Sequence, residues 1–111
     1  MLTAVFYKTE SGSEPVREWL RTLPKEERKI LGGDIDFVAE GWPVGKPLVD
    51  GLGQGLWEIR SRLKNRIARI LFYIDGQDLV LLHGFIKKTQ KTPGSELDLA
   101  RKRMKKYRSD R

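Results

Sequence analysis

The fold is decided by residues 56–88, which read LWEIRSRLKNRIARILFYIDGQDLVLLHGFIKK. This stretch contains three runs rich in β-branched and aromatic residues, as is typical of strands: Leu56–Arg62, Ile67–Asp75 and Leu79–Lys88. The last two runs are joined by Asp75-Gly76-Gln77-Asp78, in which Asp-Gly is a favoured hairpin pair. Because the connections are short, the three strands are predicted to form an antiparallel meander.

The elements around this meander are predicted from apolar spacing and from Pro and Gly. Residues 2–7 read as a strand, and two helices follow, the first starting near Pro15 and the second after Pro24. The Gly- and Pro-rich residues 41–55 are interpreted as a loop. A C-terminal helix follows the meander, with Thr92 as its candidate N-cap.

The predicted element order is therefore β-α-α-β-β-β-α. It indicates a single α+β domain over residues 1–111, with an antiparallel or mixed sheet and the helices on one face.

Composition excludes several classes of function. The chain has 111 residues, no Cys and one His, which excludes disulfides and thiolate chemistry and argues against a metal site, so no cofactor is expected. No apolar run reaches the ~18 residues of a membrane span, and residues 1–8 do not resemble a secretory signal. We therefore expect a cytoplasmic protein.

Charge is distributed unevenly along the chain. The net charge is +7, yet residues 1–55 carry 7 basic and 9 acidic side chains, whereas residues 56–111 carry 15 basic and 6 acidic ones. Such asymmetry favours an anionic partner, most often a nucleic acid, although basic charge can also serve only solubility.

Alternation along the strands separates an apolar face from a basic one. Ala68, Ile70 and Phe72 share a face that must contact the core. The opposite face is predicted to be open and to gather basic groups with one aromatic hydroxyl, namely Arg60, Arg62, Arg69, Tyr73 and at least one of Lys87 and Lys88. Arg can bind phosphate oxygens bidentately, which suits a phosphodiester backbone. The alternative is an ordinary polar face on which Glu58 pairs with an arginine.

The residue types on this face suit RNA cleavage by the substrate's own 2′-hydroxyl. That oxygen can attack the adjacent phosphate if it is aligned and the developing charge is stabilised, for which cations suffice. A Lys, Tyr or His with a shifted pKa would move the protons. His83 is a candidate, although its apolar neighbours equally suit a hydrogen-bonded core residue. The basic C-terminal helix fits either a solvated or an RNA-facing role.

Motifs in this half resemble the HigB-type, phage-derived branch of the RelE/ParE toxin superfamily. They are LWEIR at residues 56–60, RILFY at 69–73 and HGFIKKTQKTP at 83–93. The resemblance implies a RelE-like fold and the toxin of a type II toxin–antitoxin pair. It further implies a metal-independent, ribosome-dependent mRNA endonuclease, neutralised by a HigA-like helix-turn-helix antitoxin in a hetero-oligomer.

The resemblance also implies a set of site residues. It assigns phosphate orientation and charge stabilisation to Arg60 and Arg69, with Lys87 and Lys88 as the paired basic residues of which one carries the proton. Tyr73 and His83 are further candidates. RNA or ribosome contacts are expected from four more basic residues: Arg62, Lys64, Arg66 and Lys91. Replacing Arg69 with alanine is predicted to remove toxicity while leaving the fold largely intact.

Two other functions remain open at this point. One is a ParE-like inhibitor of DNA gyrase, and the other is a non-catalytic, phage-derived nucleic-acid-binding protein. The clustered basic residues separate the nuclease from the gyrase inhibitor, because an inhibitor that binds a protein would not need them.

Overall fold

The computed structural model describes residues 1–88 and 91–110. Its strands and helices are, in chain order, β1 (Thr3–Phe6), α1 (Pro15–Arg21), α2 (Lys25–Gly41), β2 (Val49–Gly53), β3 (Leu56–Arg62), β4 (Ile67–Asp75), β5 (Asp78–Lys87) and α3 (Gly94–Ser109). The predicted α+β class and the three strands of the meander are confirmed. None of the helices in the described ranges is long and apolar enough to cross a membrane.

The strands form one mixed sheet in the order β1-β5-β4-β3-β2. β1 runs parallel to β5, and the other neighbours are antiparallel. β2 is a correction to the predicted loop over residues 41–55. Its glycines hide the strand pattern, and one of them serves packing, because a Cβ on Gly51 would lie 3.2 Å from the Trp57 ring.

Helices cover both faces of the sheet, so the predicted placement on one face is wrong. The hairpin of α1 and α2 packs on the face that carries Ile59, Ile70 and Phe72. α3 packs on the opposite face, where its Ala100 and Met104 join a second apolar cluster with residues of β4 and β5, among them Leu71, Tyr73, Val80 and Leu82. That face has too many large apolar side chains to remain open, and burying them stabilises the domain.

A β-bulge in β5 changes which side chains share a face. Leu71 pairs with His83 while the next residue of β4, Phe72, pairs with Leu81, which leaves Leu82 as the extra residue. His83 and Lys87 therefore lie on the α3 side of the sheet, whereas Gly84 lies against α1. A Cβ at Gly84 would lie 2.5 Å from the Trp19 ring, so only glycine fits there.

Arginine side chains fasten α3 to the sheet. The Arg101 guanidinium donates to the Leu52 carbonyl at 2.9 Å and to the Gly53 carbonyl at 3.2 Å. Arg103 donates to the Leu82 carbonyl at 2.8 Å. Thr92 is not the N-cap that the sequence predicts, because Pro93 occupies that position and no side chain caps the helix.

Candidate functional site

The strand register brings the predicted basic residues into two adjacent rows on the α3 side of the sheet. Arg60 pairs with Arg69 in one row, and Arg62 pairs with Ile67, which in turn pairs with Lys87, in the next. Arg62 is exposed, and Arg60 and Lys87 are half-buried. This end of the face thus remains accessible to solvent, unlike the end under α3.

These rows and the β3–β4 loop line a cleft of about 710 Å³, here called the basic cleft. Its cationic side chains are Arg60, Arg62, Lys64, Arg66, Lys87 and Lys88. The cluster combines strand residues fixed by the sheet with loop residues held between them, since Leu63 N donates to the Arg66 carbonyl at 2.8 Å. Cations concentrated in one concave surface attract a polyanion and lower the cost of placing a phosphate there.

The electrostatics of the basic cleft act most clearly on Lys87. Partial burial lowers the pKa of its ammonium from the ordinary value of 10.5, and the positive charges of Arg69 and Arg60 lower it further, against a smaller opposing effect of Glu58. A lysine that loses its proton more readily is better suited to general base chemistry near neutral pH.

Arg69 lies in the interior, so its predicted position on an open face is wrong. It is 3% exposed and pairs with Glu58, which is 2% exposed. Its Nη1 donates to both Glu58 carboxylate oxygens, at 2.9 and 3.2 Å, and also to the Thr92 hydroxyl, which in turn donates to Glu58 at 3.2 Å. Arg69 therefore links β4 to β3 and to the segment that leads into α3. Its pairing with Glu58 is the one expected from the alternative interpretation of an ordinary polar face.

Tyr73 also lies beneath α3, and the prediction that it stands on the open basic face is wrong. It is 5% exposed, its hydroxyl donates to Asp75 at 2.9 Å, and its ring packs edge-on against Tyr107 with centroids 6.0 Å apart. It contributes to the second apolar cluster rather than to the basic cleft.

His83 lies outside the residues that line the basic cleft. Its Nε2 is 2.7 Å from Glu96 Oε1 on α3, and its ring stacks on Phe85 at 5.5 Å. His83 is thus partly buried and hydrogen-bonded, as its apolar neighbours in the sequence predict. It connects β5 to α3.

The remaining basic candidates divide between two surfaces. Arg62, Lys64 and Arg66 line the basic cleft, and Arg66 is held by Glu27 of α2 at 2.6 Å. Lys91 lies instead on a neighbouring crevice of about 350 Å³ between the sheet and α3, which Arg60 also lines.

Three residues that line this crevice, Asp50, Leu52 and Thr92, were not predicted from the sequence to belong to a site. Asp50 and Leu52 are on the strand that the sequence hides, and Thr92 was assigned to a helix cap. Glu58 was expected here, because alternation places it on the face of Arg60 and the alternative of a polar face pairs it with an arginine. In the described ranges, no group of three or more His, Asp or Glu side chains is placed to hold a metal ion.

The order of strands and helices, with a cationic cleft on the sheet, is consistent with a RelE-like fold. The family model for phage-derived Gp49-like proteins (DUF891) matches residues 18–105, which is most of the chain. The chain therefore belongs to the Gp49-like family, a RelE-like family of toxin-like proteins. No curated protein matches the chain.

Proposed function

We propose that this protein is the HigB-type toxin of a type II toxin–antitoxin system and that it cuts mRNA on the ribosome. The observation that carries the proposal is the basic cleft, in which six cationic side chains surround one concave surface and one of them, Lys87, has a lowered pKa. Membership of a toxin-like family supports the same function.

In the proposed reaction the 2′-oxygen of the RNA bonds to the adjacent phosphorus and the bond from phosphorus to the 5′-oxygen breaks. The neutral amine of Lys87 accepts the proton of the 2′-hydroxyl, and the ammonium of Lys88 gives a proton to the departing 5′-oxygen. The products are a 2′,3′-cyclic phosphate and a 5′-hydroxyl. DNA cannot react in this way because it lacks the 2′-hydroxyl.

The arginines of the basic cleft supply the charge stabilisation. Arg60 and Arg62 are on consecutive same-face positions of β3, so both can reach one phosphate and bind the negative charge that develops on its oxygens. Arg69 acts through its neighbours, because its buried pair with Glu58 fixes β3 and β4 beneath Arg60. Lys64 and Arg66 extend the cationic surface towards further phosphates.

The proposed partners are mRNA, the ribosome and a HigA-like helix-turn-helix antitoxin that forms a hetero-oligomer with the toxin in the cytoplasm. A ribosome offers a dense phosphate surface, which suits the exposed cations of the β3–β4 loop and of α3.

The test is mRNA integrity in a reconstituted bacterial translation reaction, mapped by primer extension with and without ribosomes. Cuts that require ribosomes are expected, and a variant with Arg60→Ala should not produce them. Intact mRNA in the presence of a toxic protein would contradict the proposal and would direct the next assay to DNA gyrase supercoiling.

A further inference from the structure

The crevice beside the basic cleft has the features of a nucleobase pocket. It has a volume of about 350 Å³ and lies between β2, β3 and the start of α3. Arg60 lines both the crevice and the basic cleft. A nucleotide whose phosphate is bound by Arg60 can therefore direct its base into the crevice.

The walls and floor of the crevice limit what can enter. Leu52 and Leu97 provide apolar surface on the two sides, one from β2 and one from α3. The floor holds the Glu58–Arg69 pair, whose facing atoms already bond each other and Thr92. Apolar walls favour a flat ring, since bases outside a helix are held between apolar or aromatic side chains.

Asp50 provides an accessible carboxylate at the crevice. Its side chain is 31% exposed, and its register partner on β3 is Glu58, which places it on the α3 side of the sheet. Among the described residues, the oppositely charged side chain within 4 Å of the Asp50 carboxylate is that of Lys46, whose Nζ lies 3.7 Å from Asp50 Oδ1. That distance is longer than a hydrogen bond, so the carboxylate can still accept bonds from a ligand.

The geometry points to a guanine-selective subsite in this crevice, with Asp50 as its specificity-determining residue. Guanine presents a ring N–H and an adjacent amino group, which can donate in parallel to the two oxygens of one carboxylate. Adenine and cytosine present one amino group beside a ring acceptor, and uracil presents its N–H between two carbonyls that repel a carboxylate. The inference rests on the proposed RNA-directed function and specifies which base the site accepts.

The experiment measures binding of four fluorescein-labelled 2′-O-methyl RNA hexamers by fluorescence anisotropy at low salt. Each hexamer is oligouridine with G, A, C or U at one central position, and the 2′-O-methyl groups prevent cleavage. A bidentate base contact corresponds to about tenfold discrimination, so the intact protein should bind the G hexamer about tenfold more tightly than the all-U hexamer.

Asp50→Asn is the test variant, because it keeps the side-chain shape and removes one acceptor and the charge. Its preference for guanine should fall to about twofold or less, reflecting the loss of the bidentate contact. Asp36→Asn is the matched control, since Asp36 is an exposed acid on α2. It makes the same charge change and should retain the preference.

Three results would overturn the inference: equal binding of all four hexamers, no binding of any of them, or a guanine preference that persists in Asp50→Asn. Incubation of the protein with the unmodified hexamers and with ribosome-bound mRNA separates this inference from the proposed function. Guanine-selective binding without cleavage would support the guanine subsite and contradict the proposed nuclease activity. Cleavage that is independent of the base, in the intact protein and in both variants, would contradict the guanine subsite and leave the proposed nuclease in place.

Discussion

The α3 side of the sheet contains two regions that use the same residue types differently. Under α3, Arg69 is buried, and its Nη1 donates to Glu58 and to Thr92. Directly opposite Arg69, on β3, its register partner Arg60 opens into the basic cleft, which Lys87 also lines. Alternation along a strand thus assigns a side chain to a face, whereas the element that packs on that face decides whether the side chain is buried in the fold or exposed to a ligand.

The largest expected effect is on the covered region. Replacing Arg69 with alanine should lower the free energy of unfolding by about 3–5 kcal/mol, because it leaves the Glu58 carboxylate buried without its cation. Urea unfolding followed by tryptophan fluorescence measures this change. A variant that unfolds at the wild-type urea concentration would show that the pair does not stabilise the fold.

A double variant sharpens this prediction. Glu58→Leu combined with Arg69→Met removes both charges and keeps similar volume, so it should regain most of the lost stability, as apolar replacements of buried ion pairs often do. Because the Arg69–Glu58 pair is buried, any loss of activity in Arg69→Ala is expected to include partial unfolding, in contrast to the prediction from the sequence that the fold stays largely intact.

On the open region, Lys87 gives the largest effect on activity. Its pKa is lowered from 10.5, and the proposed base is its neutral amine, so the cleavage rate should rise with pH up to the pKa of Lys87 in the folded protein. Lys87→Arg keeps the positive charge but cannot give up its proton at these pH values. It should lower the rate about 10²- to 10⁴-fold and flatten the rising limb.

Single-turnover cleavage across the neutral and alkaline range measures this profile, and Lys8→Arg, an exposed site after β1, is the matched control. A rising limb that survives in Lys87→Arg would assign the proton to another group.

Arg60 tests whether the open region stabilises the transition state. Arg60→Ala should reduce the single-turnover rate about 10²- to 10³-fold, the loss typical of one preorganised charge-stabilising group. Arg60→Lys should recover only part of the rate, since a single ammonium cannot bind two phosphate oxygens in the same fork. Urea unfolding close to that of the wild type would show that the defect is in the reaction, whereas an unchanged rate would remove Arg60 from the site.

Much of this arrangement could be predicted from local sequence. The Asp75-Gly76 turn and the apolar alternation identify β3, β4 and β5, and they place Arg60, Arg62 and Arg69 on one face. The apolar residues Leu71, Tyr73 and Val80 on that same face already indicate that something must cover it. The apolar stripe of α3 is the element that does so.

Other features depend on long-range contacts that no local pattern encodes. The bulge at Leu82 shifts the register of β5 and brings Lys87 into the row of Ile67 and Arg62, and nothing in the run of leucines marks that position. β2 is recognisable only from its partner, because Gly51 and Gly53 give it little strand character. Asp50 and the crevice beside Arg60 were missed for the same reason.

The smallest expected effect separates the two regions most sharply. Arg62 is an exposed arginine of the basic cleft, so Arg62→Ala should change the free energy of unfolding by no more than about 0.5 kcal/mol, in contrast to the buried Arg69. The contribution proposed for Arg62 is a phosphate contact. Removing it should reduce the slope of log affinity against log salt by about 0.7 for single-stranded RNA. Anisotropy titrations of an RNA oligomer at several salt concentrations measure that slope, with Arg21→Ala on α1 as the control that leaves it unchanged. If Arg62→Ala instead destabilised the protein as strongly as Arg69→Ala does, the division of this face into a structural and a ligand-binding region would be wrong.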